Sequence, residues 1–211
     1  MLTAIIDYES GNLHSAEKAF QKMAQETGSG TVVVTDKAEI VARADRIVLP
    51  GDGAFPACAS ALRASGCFDA MIEAVESRGR PFLGICVGMQ LMARRGHEYE
   101  PTDGLGWVDG EVRRIEPRDA ALKVPHMGWN DLQIEQSHPV LDGISSGEHV
   151  YFVHSYQMVM DDPAQRIASC DYGGAVTAVV GHGTRIGFQF HPEKSASVGM
   201  QMIANFLRWR P

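Results

Sequence analysis

Apolar positions in the first ninety residues follow two periods in turn. Residues 2–6, 31–35, 46–49 and 81–85 are short, nearly continuous apolar or β-branched runs, as expected of strands buried in a sheet. Between them Leu13, Ala16, Phe20 and Met23 recur at helical spacing, which predicts a helix over about residues 12–25. Similar patterns predict helices around 57–63 and 68–77. Alternation of this kind predicts a parallel sheet with its functional loops gathered at the carboxyl ends of the strands. Pro50-Gly51-Asp52-Gly53, Cys86 and His191 would share that edge.

From Leu105 the pattern shifts to short strands separated by polar turns, over 107–115, 123–127, 130–134, 149–152, 157–160, 166–169, 175–180 and 185–190. They read as a more antiparallel half of the same sheet, with a hairpin at Gly181-His182-Gly183. A last helix over about 197–208 puts Val198, Met202, Ile203, Phe206 and Leu207 on its packing side. No long linker, repeat or low-complexity tract divides the chain. The expectation is one α/β domain over residues 1–211, a central mixed sheet flanked by helices.

Composition narrows the setting. At 211 residues, 45% apolar and 21% charged, the chain can bury a large core. A net charge of −7, with no basic cluster beyond pairs such as Arg94-Arg95 and Arg113-Arg114, argues against nonspecific nucleic-acid binding. Nothing approaches the ~18 apolar residues of a membrane span. The chain enters its first strand without a basic leader, and its four cysteines form no C-x-x-C, so a reduced, cytoplasmic protein is expected. Eight histidines show no metal-binding spacing. No G-x-G-x-x-G follows the first strand, and no metal or cofactor is expected.

Candidate chemistry centres on Gly84-Ile85-Cys86-Val87-Gly88, where a strand meets a helix. G-x-C-x-G is the nucleophile-elbow pattern with Cys in place of Ser. The flanking glycines permit a turn too tight for a Cβ, and the first amides of the next helix would favour the thiolate and an oxyanion. Phe188-Gln189-Phe190-His191-Pro192-Glu193 supplies a distant base at a strand end, with a carboxylate two residues on to orient it. Read together, Cys86, His191 and Glu193 form a triad. As bare residues, the elbow still favours a catalytic cysteine over a buried structural thiol, whereas the histidine alone reads more readily as a loop residue.

Gly-Ile-Cys-Val-Gly-Met-Gln at 84–90 and Phe-Gln-Phe-His-Pro-Glu-Lys-Ser at 188–195 resemble the class I (triad) glutamine amidotransferases. Residues 7–13, 123–130 (with Pro-His-Met-Gly-Trp-Asn) and 151–156 further resemble their glutaminase subunits from imidazole glycerol phosphate synthase, over nearly the whole chain. The resemblance implies a class I glutamine amidotransferase (flavodoxin-like) fold. It implies that Cys86 hydrolyses glutamine through a thioester and that ammonia passes to a separate (β/α)8-barrel cyclase subunit in a heterodimer. It also implies an oxyanion site built from Val87 and the Asp52 and Gly53 loop, where Asp52 departs from the expected apolar residue. Gln90, Ser155 and either Glu98 or Glu100 would contact glutamine, with Glu98 preferred. Asn12, Met127, Trp129, Tyr151 and Lys194 would face the cyclase; the plain alternatives are core packing for Met127 and Trp129 and simple surface for Lys194. Rival readings are another class I glutaminase and a stand-alone cysteine hydrolase. The mobile peptide between Gly51 and Gly53 is expected to keep the lone chain idle.

Overall fold

The structure, a computed structural model, describes residues 1–10 and 13–211. Its first half alternates as the two periods require: β1 (Leu2–Ile6), α1 (Leu13–Thr27), β2 (Thr31–Thr35), α2 (Ala38–Arg43), β3 (Arg46–Gly51), α3 (Phe55–Ala64), α4 (Phe68–Ile72) and β4 (Phe82–Cys86). A π-helical turn over Glu73–Ser77 extends α4, so the expected 68–77 helix is present with a wider last turn. The six-residue α2 escaped the sequence because it buries one side chain, Val41, and shows no period.

The second half adds α5 (Val87–Gln90), β5 (Ala93–Glu98), β6 (Glu100–Asp103), β7 (Val108–Arg114), β8 (His126–Asp131), β9 (Gln133–Ile134), β10 (His149–His154), β11 (Tyr156–Met160), β12 (Arg166–Asp171), β13 (Ala175–His182), β14 (Arg185–Phe188) and α6 (Ala196–Arg208). Eight strands make the central sheet in the order β2-β1-β3-β4-β14-β13-β12-β9. From β2 to β14 neighbours run parallel, and β13, β12 and β9 close the sheet antiparallel. The sheet is mixed, as expected. Helices α1 and α6 pack on each other, Phe20 edge-on to Phe206 at 6.4 Å between ring centroids. The β13–β14 hairpin pairs His182 with Arg185 and leaves a two-residue loop with Gly183 at φ 59°.

Three expectations need correction. Not all later strands join the central sheet: β11, β7, β5 and β6 form a four-stranded sheet, and β8 with β10 forms a two-stranded ribbon. Period-2 patterning identifies a strand but not its partner, which long-range packing decides. The break expected between 127 and 130 is absent, because β8 runs through Gly128 at φ 128°, a conformation open to glycine. And β2 is not a fully buried strand; it forms one edge of the sheet and exposes Thr31.

Candidate active site

Strands β3 and β4 run side by side with Gly51 opposite Cys86. Cys86 ends β4 at φ 54°, ψ −112°, a region that costs a non-glycine residue about 1–3 kcal/mol. The surrounding glycines explain how the turn is held. A Cβ on Gly84 would lie 2.5 Å from the Gly88 carbonyl oxygen, and one on Gly88 would lie 1.8 Å from that of Leu49. At Gly51 it would meet the Tyr8 hydroxyl at 2.7 Å and the Gly88 nitrogen at 2.8 Å. Backbone therefore packs on backbone around the thiol. The helix that follows is shorter than expected: α5 is a single turn ending at Gln90, and the chain returns as β5. So short a helix has little macrodipole. What it offers Cys86 is the individual amides of its first turn, Val87 foremost, which have no intrahelical acceptor.

His191 lies three residues past the end of β14, and its backbone is pinned. Its N–H donates to the Tyr151 carbonyl at 3.0 Å, and its carbonyl accepts from Ser195 Oγ at 2.6 Å. The same hydroxyl accepts from the Tyr151 N–H at 3.0 Å, tying the turn to β10. His191 Nδ1 sits 2.8 Å from Glu193 Oε1, whose side chain is 4% exposed. A carboxylate can only accept, so Nδ1 carries the proton and Nε2 is left for Cys86. Burial alone would lower the His191 pKa. Hydrogen bonds to Cys86 and Glu193, and the negative charge on each, outweigh that and raise it to about 10. The arrangement favours an imidazolium beside a nucleophilic sulfur.

Next to Cys86 a cavity of about 290 Å³ is lined by Asp52, Gly53, Val87, Gln90, Glu98, Val153, His154, Ser155 and Tyr156. Glu98, not Glu100, reaches it: Glu98 Oε2 accepts from the Phe55 N–H at the start of α3, at 2.7 Å, whereas Glu100 is exposed beyond the hairpin tip at Tyr99. Gln90 is buried and gives both Nε2 hydrogens away, to the Tyr156 carbonyl at 3.0 Å and to Gln189 Oε1 at 3.1 Å. Gln189 was missed by sequence reasoning. Fully buried, it also places Nε2 3.9 Å from Cys86 Sγ. The available signal was an amide between two phenylalanines in a strand, which needs partners once buried.

The Asp52 loop is held from behind. Ser10 Oγ donates to the Asp52 carbonyl at 2.8 Å and accepts from the Asp52 N–H at 3.3 Å. Cys58 Sγ lies 3.1 Å from the same hydroxyl. Both peptide groups of Asp52 are thus engaged by one side chain, and its N–H is not free to serve the cavity. The Asp52 residue itself is exposed, and Gly53 takes φ 125°.

Of the residues expected to face a partner, Asn12 lies outside the described residues. Met127 and Trp129 are 62% and 53% exposed, which rules out the core alternative for both. They share one face of the β8–β10 ribbon with Tyr151, which pairs with Trp129 and stands edge-on to it at 6.0 Å. Lys194 is exposed, and Trp129, Glu193 and Lys194 border one open cleft of about 640 Å³. Among the described residues no helix is long and apolar enough to cross a membrane.

Comparison with known proteins agrees with this geometry. The family model described as glutamine amidotransferase class-I matches residues 4–209. The chain is 71% identical over 212 aligned residues to the imidazole glycerol phosphate synthase subunit HisH of Ruegeria pomeroyi, and 62% identical to that of Cereibacter sphaeroides, with full coverage of both chains in each case. A solved glutamine amidotransferase superposes with a TM-score of 0.72 at 19% identity, covering 97% of each chain, a likeness of fold. On the elbow, the sheet and these matches together, the chain belongs to the class-I glutamine amidotransferase family, among the HisH subunits of imidazole glycerol phosphate synthase.

Proposed function

We propose that this chain, the glutaminase subunit of imidazole glycerol phosphate synthase, hydrolyses glutamine in the 290 Å³ cavity through a thioester on Cys86. The Gln90 Oε1 and Glu98 carboxylate face the α-ammonium of glutamine, and Ser155 holds its α-carboxylate. Cys86 Sγ, its proton already resting on the His191 imidazolium, attacks the side-chain carbonyl carbon. The tetrahedral oxyanion is met by the Val87 amide and a second amide from the Asp52–Gly53 loop. Collapse breaks the C–N bond as His191 returns its proton, so ammonia leaves and a γ-glutamyl thioester remains. Water then attacks the thioester carbonyl, His191 accepts its proton, and the sulfur departs to give glutamate. Glu193 keeps Nδ1 protonated and the ring aimed throughout.

One observation carries this reading most. A cysteine fixed at positive φ on a cavity wall is close enough to raise the pKa of a histidine that a buried carboxylate orients. The ammonia goes to a (β/α)8-barrel cyclase subunit docked on the exposed Met127, Trp129, Tyr151 and Lys194 face. A reducing cytoplasm suits an enzyme whose four cysteines are all free. Ser10 holds the Asp52 amide until docking turns the loop, which keeps the lone chain idle. The test measures glutamine hydrolysis by the chain alone, with the cyclase, and with cyclase plus its phosphoribulosyl ligand. A stepwise rise, with ammonia incorporated into product, is expected. Equal rates in all three would make this a constitutive hydrolase.

A further inference from the structure

The glutamine pocket has a back wall that the triad does not use. His126 and His154 are cross-strand partners on β8 and β10, and both are buried. They lie on the face opposite exposed Met127 and Trp129. His126 is stacked between Phe152, at 4.6 Å between ring centroids, and Tyr172, at 4.0 Å. Such a ring cannot turn freely, so its two nitrogens are committed to their neighbours.

Those neighbours determine every proton. His154 Nδ1 lies 2.8 Å from the Tyr156 carbonyl oxygen, which can only accept, so His154 is protonated at Nδ1. Its Nε2 lies 2.9 Å from His126 Nδ1; with the proton of the neutral ring already placed, Nε2 accepts and His126 Nδ1 donates. His126 Nε2 is then an acceptor, and Asn130 Nδ2 supplies the donor at 3.2 Å. The chain runs one way, from Asn130 through His126 and His154 to the Tyr156 carbonyl. A second proton on either ring would set two N–H groups against each other. Burial agrees, holding His126 down to about 4 and His154 to about 3.

The chain ends where it matters. The Tyr156 carbonyl also accepts from Gln90 Nε2 at 3.0 Å, so its two lone pairs hold His154 on one side and Gln90 on the other. We propose that His126 and His154 are positioning residues, a one-directional relay that fixes the Tyr156 carbonyl and, through it, the Gln90 amide on the wall of the glutamine pocket. The ring nitrogens of both are spent on each other, Asn130 and the Tyr156 carbonyl. Their effect is on where the α-ammonium of glutamine is held, and hence on binding more than on the chemical step. The relay begins on the strand whose outer face carries Trp129, so it also links the ribbon to the pocket.

The proposal rests on the cavity being the glutamine site, and two measurements keep the questions apart. Imidazole 15N–1H correlation spectra of the labelled full chain read the tautomers whatever the cavity binds. Nδ1–H is expected for both rings; Nε2–H on either overturns the relay. In the complex with the cyclase, His126→Leu removes the donor and leaves His154 Nε2 buried and unmatched. His126→Gln keeps a donor and an acceptor. His126→Leu is expected to raise KM for glutamine roughly tenfold with kcat changed by less than about threefold, and His126→Gln to recover most of it. An unchanged KM in His126→Leu, or equal loss in kcat and kcat/KM, overturns the positioning role. If His126→Leu does not fold, His126→Gln with wild-type KM alongside the Nδ1–H tautomers supports the relay, and a KM raised as far in His126→Gln overturns it.

Discussion

Two buried imidazole systems flank the same cavity, and their protons behave in opposite ways. His191 meets a carboxylate on one side and a sulfur on the other, and is raised to about 10 although burial pulls it down. His154, held by a carbonyl and a neutral ring, has no negative neighbour to offset burial and falls to about 3. Burial is thus common to both: it decides the neutral pair and is overruled at His191. What differs is whether the partner is an anion or a dipole. One histidine is set up to carry charge during a reaction, the other to stay neutral and hold a shape.

The largest effect expected breaks the charged side. His191→Ala should lower glutamine turnover in the complex by about 10⁶-fold, since among the described residues no second base is hydrogen-bonded into the triad. Loss of under tenfold would mean that another base serves Cys86. Glu193→Gln sharpens the comparison, because it swaps the anion for a dipole and makes His191 resemble His154. Turnover should fall by about 10⁴-fold, less than for His191→Ala, and an NMR titration should place the His191 midpoint below its wild-type value. An unmoved midpoint would remove Glu193 from the account.

A third change tests the loop between the two systems. Ser10→Ala frees the Asp52 N–H and leaves its carbonyl only the long Cys58 Sγ contact at 3.8 Å. An oxyanion donor is worth ~10²–10³ in rate, so even partial release should raise hydrolysis by the lone chain by roughly tenfold. A basal rate that stays the same or falls would show that Ser10 is not the restraint.

The smallest effect is on stability. Unfolded imidazoles protonate near 6.5. Folded His126 and His154 do so only near 4 and 3, so the unfolded state binds more protons in between. Their contribution is complete above about pH 6.5 and is lost as pH falls toward 4 and below. His191 has the opposite sign: its contribution is complete below about 6.5 and is lost as pH rises toward 10. Denaturant midpoints from pH 4 to 9 should therefore fall toward acid less steeply in His126→Gln, and toward alkali less steeply in Glu193→Gln. Parallel curves for all three proteins would break the comparison.

Much of the charged side was legible in the sequence, because its chemistry is local. Gly84, Cys86 and Gly88 are spaced by the turn itself, and His191 and Glu193 are two residues apart. The parallel strands were legible too, since β1, β3 and β4 are buried on both faces and read as apolar runs. The neutral side was not. His126 and His154 are 28 residues apart, and their meeting depends on the β8–β10 register. Nothing in the sequence says that these strands leave the central sheet to form a ribbon. Gln189 was hidden for the same reason, its partners Gln90 and Cys86 being distant in the chain. Ser10 reaches Asp52 across 42 residues.

The central claim is that Cys86 alone among four buried cysteines forms a covalent bond to the γ-carbonyl carbon of glutamine. It is tested most directly by treating the chain, in complex with its cyclase, with an electrophilic glutamine analogue, and by mapping the adduct by peptide mass spectrometry. The account predicts one adduct per chain, on Cys86, blocked by excess glutamine and absent in His191→Ala at short times. Modification spread over Cys58, Cys67 and Cys170, or an adduct on Cys86 that glutamine does not protect, would contradict it.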